Sequence, residues 1–338
     1  MMAAPHRYIR PLVMVDPARP EGALTLANGW GRFTHVEVLA RNAAPTVQSV
    51  TALTEAERHA LTAPRKDVAG LSMDRPRIMA ILNVTPDSFS DGGRFDGPEA
   101  AVAEARRMAR VSDMLDIGGE STRPGAAEVP VAEEIARTCP VIAALRREGV
   151  STPISVDTRK AAVAEAALAA GADMVNDVSA MRYDPKIAQI TAKANAPICL
   201  MHSQGTPDTM QHNPRYQDVV LDVYDHLANQ IAAAEAAGID RGRIIADPGI
   251  GFGKTVEHNL ALLARLSLFH SLGCPVLLGV SRKRFIGTIG EADTASDRMP
   301  GSLALAVLAA REGVQLLRVH DADETRQGLS LAMAQWGL

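Results

Sequence analysis

Asp157, Asn176 and Asp247 each follow a short apolar run, and together they supply two carboxylates and an amide. That set is a donor and acceptor array suited to a heterocycle carrying amino and ring N–H groups. Taken singly, each is also an ordinary helix N-cap, a task Asp and Asn perform well. A second set, Arg123, Arg282, Lys283, Arg318 and His320, follows other apolar runs, alongside Thr122 and Ser281. One such residue is ordinary surface charge. Five converging at one rim imply an anion site, because guanidinium forks match phosphate oxygens.

The segment Asp247-Pro248-Gly249-Ile250-Gly251-Phe252-Gly253-Lys254-Thr255 invites comparison with a nucleotide-binding P-loop, which needs G-x-x-x-x-G-K-[ST]. Pro248 stands where the first glycine belongs, so the spacing fails by one residue. These glycines more simply let backbone approach a flat ligand beside Asp247. Asn83 to Gly93, NVTPDSFSDGG, is longer than a simple connection and carries Phe89 among polar residues. With the Gly118–Gly125 loop it reads as a lid that closes over substrate.

Eight apolar runs position these groups. They are IMAIL before Asn83, MLDI before Gly118-Gly119-Glu120-Ser121-Thr122-Arg123, PISV before Asp157, DMV before Asn176-Asp177, and PICLM before His202. RIIA before Asp247, PVLLGV before Ser281-Arg282-Lys283, and VQLL before Arg318-Val319-His320 complete the set. Continuous apolar strands mark a parallel sheet buried on both faces. Helical patterns alternate with them over 98–110, 131–148, 159–170, 185–195, 216–237, 256–268, 297–312 and 322–334. Pro98 suits a helix start, and Gly171 and Gly238 suit C-caps. Eight strand–helix units in about 260 residues predict an α/β fold of the (β/α)8 barrel type, with its reacting groups at the strand C-termini. A doubly wound sheet would want a glycine-rich turn after the first strand, where Asn83-Val84-Thr85-Pro86 stands instead. Residues 76–338 are expected to form this catalytic domain. Residues 1–75 are expected to form a short extension that packs against or caps it. ALTLAN and THVEVLA predict a hairpin around Asn28-Gly29-Trp30-Gly31, Thr54 and Glu57 predict a capping box on TEAERHAL, and Arg65–Arg77 predicts a linker.

Composition narrows the function. The chain has 338 residues, 47% hydrophobic but only 4% aromatic, so Ala, Leu, Val and Ile must fill its core. A net charge of −4, from 35 basic and 39 acidic residues, argues against a nucleic-acid partner. Cys139, Cys199 and Cys274 are widely spaced and read as buried thiols. The nine His show no zinc-ligand spacing. The apolar stretches are too short to span a membrane, and no signal-peptide core is present, so a cytoplasmic protein is expected.

Nine blocks in family order, from about Ile78 to Gly328, resemble the dihydropteroate synthase family of pterin-binding TIM barrels. They are ILNVTPDSFSDGG (81–93), DIGGESTRPGA (116–126), ISVDT (154–158), VNDV (175–178), CLMHSQG (199–205), DPGIGFGKT (247–255), GVSRK (279–283), GSLA (301–304) and RVHD (318–321). The resemblance implies condensation of 6-hydroxymethyl-7,8-dihydropterin diphosphate with p-aminobenzoate, giving 7,8-dihydropteroate and diphosphate in folate biosynthesis. It further implies Mg2+, competition by sulfonamides, and a homodimer formed through the helix around Gly301–Arg311. Carried over by residue, Asn83 would bind Mg2+, while Thr122, Arg318 and His320 would hold the diphosphate. Asp157, Asn176, Asp247 and Lys283 would hold the pterin between Met201 and Phe252. Phe89, Arg123, Pro124 and Lys283 would build the aminobenzoate site. Asp157, Asp247, Lys283 and Arg318 would carry the catalytic charge.

Two departures from the family pattern stand out. Met108-Ala109-Arg110-Val111-Ser112 runs into Asp113 without the usual glycine, which predicts a displaced or weakened start to the second barrel strand. Arg284 stands where many members carry a small hydroxyl residue, which would strengthen carboxylate binding or alter sulfonamide discrimination. Three alternatives fit less well. A methyltetrahydrofolate-dependent methyltransferase would share the Asp/Asn array but has no need of ESTRPG, SRK and RVH. A non-catalytic pterin-binding homologue predicts loss of Asn83, Lys283 or Arg318, and all are present. A barrel aldolase wants a Schiff-base lysine within a strand, and no barrel run contains one.

Overall fold

The computed structural model describes residues 7–85, 98–121, 126–205 and 209–338. Eight parallel strands form one sheet: β6 (Arg77–Asn83), β7 (Met114–Gly118), β8 (Ile154–Asp157), β9 (Met174–Asp177), β10 (Ile198–Met201), β11 (Ile244–Asp247), β12 (Leu277–Gly279) and β13 (Leu316–Val319). They lie in the order β11-β10-β9-β8-β7-β6-β13-β12. A parallel bridge between Ala246 and Val276, with the Ala246 amide donating to Pro275 O at 2.9 Å, joins the two ends into a closed barrel. Closure removes both sheet edges.

Helices follow the strands as predicted, within a few residues: α2 (Pro98–Ala109), α3 (Val131–Arg147), α4 (Ala161–Ala170), α5 (Lys186–Ala194), α6 (Val219–Ala236) and α7 (Val256–Ala264). One helix was not foreseen. Between β12 and β13 a short α8 (Arg284–Gly290) precedes α9 (Met299–Arg311); with two glycines in seven residues, α8 carries no amphipathic signature. α10 (Ala322–Trp336) follows β13. Gly171 caps α4 in the left-handed conformation at φ 111°, as the C-cap reading required. No helix among the described residues is long and apolar enough to cross a membrane.

Side chains two apart on a strand share a face, and the barrel interior is layered accordingly. Met79, Met114, Met174, Cys199, Ile245, Leu277 and Leu316 come from seven different strands and form one buried cluster. Two residues further along their strands come Asp116, Asn176, Met201, Asp247 and Arg318, and Asp157 lies two beyond the buried Ser155. The lower layer is almost wholly apolar. The upper layer carries the chemistry.

Residues 7–75 depart from expectation in two ways. Leu24–Thr25 (β2) does pair with Arg32–Phe33 (β3) around the predicted turn, but His35–Leu39 (β4) pairs antiparallel with Tyr8–Pro11 (β1) and Thr46–Ser49 (β5). The β1 pairing joins strands distant in sequence and leaves no local signal, whereas β5 follows β4 across the short connection 40–45. The segment expected as a linker contains a two-residue turn, with Ala69 at φ 49° and Gly70 at φ 80° between paired Val68 and Leu71. Both angles are those of the primed hairpin turn. Val68 and Met73 are buried against the lower barrel layer, so this segment covers the floor. α1 (Glu55–Thr62) has its capping box, with Thr54 Oγ1 accepting the Glu57 amide at 3.2 Å and Glu57 Oε2 accepting the Thr54 amide at 2.8 Å. Trp30 Nε1 donates to Ala310 O at 2.8 Å, and Arg41 pairs with Asp222 and Asp225 at 2.7 Å each, tying this region to barrel helices.

The expected weakness before the second barrel strand is compensated locally. Ser112 Oγ donates to Met108 O at 2.8 Å and its amide to the same oxygen at 3.0 Å, closing the helix end without glycine. Asp113 accepts the Ile78 amide at 2.8 Å and the Arg326 guanidinium at 2.5 Å. β7 then starts at Met114, in register with Met79.

Candidate active site

The upper layer is organised around Arg318 on β13. Its Nε donates to Asp116 Oδ2 and its Nη2 to Asp157 Oδ2, both at 2.6 Å. Asn176 Nδ2 donates to the same Asp116 oxygen at 3.1 Å. Arg318 reaches across β6 to touch β7, and Asn176 reaches across β8, so all four side chains lie inside the barrel. Burial pushes the Asp157 carboxyl up to about 7, with Arg318 opposing and Asp116 reinforcing the rise. Burial works against the charge on Arg318 too, but Asp116 and Asp157 hold it firmly protonated. Asp116 Oδ1 and Asp157 Oδ1 are buried with no hydrogen-bond partner among the described residues. A buried carboxylate oxygen left unbonded is unfavourable, and such atoms are natural acceptors for a ligand's N–H groups.

Asp247 ends β11 beside Met201, its register partner on β10. Burial raises its carboxyl above the ordinary range, while Lys283 and the Gly249 amide, at 2.7 Å, draw it back. The glycine-rich turn beyond is shaped by close approach. A Cβ at Gly249, φ 66°, would lie 1.8 Å from His202 O. Lys254, buried beneath, donates to Gly249 O at 2.8 Å and Phe252 O at 3.0 Å and contacts His202 Nδ1 at 2.9 Å. Burial, with Lys254 and His226 beside the ring, keeps His202 neutral, and burial likewise pushes the Lys254 amine well down. Lys254 therefore pins the turn and does no phosphate work.

Lys283 donates to Ile250 O and lies 4.7 Å from the Phe252 ring centroid. Burial lowers its ammonium to about 8 against the pull of Asp247. It is aimed inward by Arg282, which adopts a left-handed φ of 58° and forks onto Asp321. Arg282, expected in the anion site, is thus engaged by a carboxylate, and Arg318 by two. His320 Nδ1 contacts Ser281 Oγ at 3.0 Å, joining the loops after β12 and β13. Arg284 opens α8 and is exposed.

The structure brings together Asp157, Asn176, Met201, Asp247, Phe252, Lys283, Arg318 and His320, with Asn83 at the end of β6 facing the same mouth. Phe89, Thr122, Arg123 and Pro124, and with them most of the expected lid, lie outside the described residues.

Four contributors were missed from sequence. Asp116 sits inside a run scanned only for the residue that follows it, though alternation from Met114 would have placed it in the barrel. Glu120, Arg159 and Lys160 form a buried network: Arg159 pairs with Glu120 at 2.6 Å, while Lys160 pairs with Glu120 and, at 2.7 Å, with Glu134. It ties the loop after β7 to the loop after β8. Such ties join loops far apart in the chain and leave no local pattern.

No cluster of three or more His, Cys, Asp or Glu suited to a metal exists among the described residues. Asn83 offers a neutral oxygen ligand, which suits Mg2+ held largely by substrate phosphates and water.

A family described as pterin binding enzyme matches residues 79–320. The dihydropteroate synthase of Escherichia coli K12 is 44% identical over 265 residues, covering 78% of this chain and 93% of its own. A Xanthomonas albilineans dihydropteroate synthase solved with 4-aminobenzoic acid superposes with a TM-score of 0.76 at 49% identity, covering 82% of this chain and all of the other. Another from the same organism, in complex with 7,8-dihydropteroate, gives 0.74 at 46% identity over 81% of this chain.

Proposed function

The chain belongs to the pterin-binding enzyme family, and we propose that its barrel mouth condenses 6-hydroxymethyl-7,8-dihydropterin diphosphate with p-aminobenzoate, releasing 7,8-dihydropteroate and diphosphate. It is a transferase of folate biosynthesis. The observation that carries the site assignment is the pair of buried, partly unsatisfied carboxylates Asp116 and Asp157 held around one guanidinium.

The pterin ring lies over Met201, with Asp157, Asn176 and Asp247 reading its N–H and amino donors and Lys283 one of its acceptors. p-Aminobenzoate enters through the loops that carry Phe89, Arg123 and Pro124 and meets Lys283. Its aniline nitrogen attacks the exocyclic methylene as the carbon–oxygen bond to diphosphate breaks. The bonding pair leaves with diphosphate, and the new nitrogen sheds its proton to solvent. Positive charge developing on the methylene spreads into the ring, where Asp157 and Asp247 stabilise it. The transition state has carbocation character, and no enzyme side chain bonds to the pterin. Thr122, His320 and the Nη1 group of Arg318, which neither carboxylate engages, hold the leaving diphosphate. Mg2+, held by Asn83, supplies neutralisation of phosphate charge when bound.

The family resemblance implies a homodimer through the helix around Gly301–Arg311, and sedimentation at twice the chain mass is the expected result. The function is tested by mixing both substrates with Mg2+ and protein and following diphosphate. Release that depends on p-aminobenzoate is expected, and its absence overturns the reading. A covalent pterin–enzyme adduct trapped on the productive path would overturn the mechanism alone.

A further inference from the structure

Asp116 occupies the middle of β7, fully buried, two residues beyond Met114 on the same inward face. One of its oxygens, Oδ2, accepts from both Asn176 Nδ2 at 3.1 Å and Arg318 Nε at 2.6 Å. The other has no partner among the described residues. An apolar side chain fills the equivalent position one layer down, so shape alone does not call for a carboxylate here. Burying an incompletely bonded one opposes stability.

Its bonds have consequences for recognition. An amide side chain can present either its oxygen or its nitrogen to a ligand. With Nδ2 engaged by Asp116, Asn176 has its carbonyl oxygen left for the mouth. Arg318, bound through Nε to Asp116 and through Nη2 to Asp157, is locked as a fork between two carboxylates. With Asp116 and Asp157 both ionised, the Arg318 cation leaves the trio one net negative charge. That is the complement of a ring edge rich in N–H donors and of positive charge developing beside it.

We infer that Asp116 is a positioning residue for pterin recognition, fixing Asn176 as an acceptor and Arg318 as a fork. The inference rests on the functional reading above. It extends the pterin-reading set to a residue that touches the ligand through others.

The test is calorimetric titration of 6-hydroxymethylpterin into wild type, Asp116→Asn, Asn176→Ala and the double variant, with KM for p-aminobenzoate and Tm measured alongside. Asp116→Asn is near-isosteric, and Asp116→Ser serves should it fold poorly. Each single change is expected to weaken pterin binding about 10- to 100-fold, while KM for p-aminobenzoate moves less than about 3-fold. The double variant is expected to fall clearly short of the product of the two single losses, since the part of the Asp116 effect that runs through Asn176 can be lost only once. Unchanged pterin affinity in both Asp116 variants, or losses that multiply in the double variant, overturns the inference. A wild type that does not bind the pterin overturns the functional reading with it.

Discussion

Two layers of one barrel, separated by two residues along each strand, do opposite work. The lower layer, with Met114, Met174, Cys199 and Ile245, is closed over by Val68 and Met73 and is apolar apart from Ser155. The upper layer sets Asp116, Asn176, Met201 and Asp247 on the same strands, with Arg318 threaded between carboxylates. Below, the apolar contacts lower the free energy of folding, and the one unbonded polar atom among these residues is the Ser155 hydroxyl. Above, carboxyls are raised by burial and oxygens lie unbonded, both of which oppose folding until a ligand satisfies them. The contrast teaches that the fold places its destabilising groups where a substrate can compensate them, and rests them on a floor that does not need one.

Substitutions can break this contrast or sharpen it. The largest effect is expected above: Asp157→Ala should weaken pterin binding by more than about 100-fold, a loss of ~3 kcal/mol, with little fall in Tm. Retained affinity by calorimetry would refute its role. Below, Met114→Ala should cost about 2–5 kcal/mol of folding stability through transfer and cavity effects, while pterin affinity in the folded fraction stays within about 3-fold. Urea unfolding beside a titration separates the two quantities.

A smaller effect concerns pH. With its folded pKa raised to about 7 from an ordinary carboxylate value, Asp157 holds its proton in the native state between roughly pH 4 and 7. Its contribution to stability is present at the acid end and is lost as pH rises through 7. The ligand-free Tm should therefore drop between pH 5 and pH 8, and Asp157→Asn should narrow that drop by a few degrees. An unchanged drop would remove Asp157 as its source. The smallest effect lies outside the barrel, where Thr54→Ala should cost about 1 kcal/mol by opening the α1 capping box, with turnover unchanged.

Much of this was legible in the sequence because the barrel strands are short and apolar and several end in a functional residue. Asp157, Asn176 and Asp247 stand at strand ends, where such a reading looks. Asp116 stands inside its strand and escaped it. Pairing of β4 with β1 was illegible because the two are brought together only by the packing of distant segments, and β5, though it follows β4 across the short connection 40–45, is largely exposed and shows no apolar alternation. The turn at Ala69-Gly70 was illegible because its only strand-like residues, Val68 and Leu71, are too few to show a period. The Ser112 closure of α2 shows a missing glycine replaced by a side-chain hydroxyl, an exchange evident only once the hydrogen bond is seen.

One strand allows the most direct measurement. Ile245 and Asp247 are neighbours on β11, one in each layer, and p-aminobenzoate-dependent diphosphate release can be followed in Ile245→Ala and Asp247→Ala below the melting temperature of each. Ile245→Ala is expected to melt earlier yet keep kcat/KM for the pterin diphosphate within about 3-fold, while Asp247→Ala keeps its Tm within a few degrees and loses more than about 100-fold, or ~3 kcal/mol of transition-state stabilisation. Comparable turnover in the two variants, or an Asp247→Ala enzyme that still releases diphosphate at the wild-type rate, would contradict this expectation.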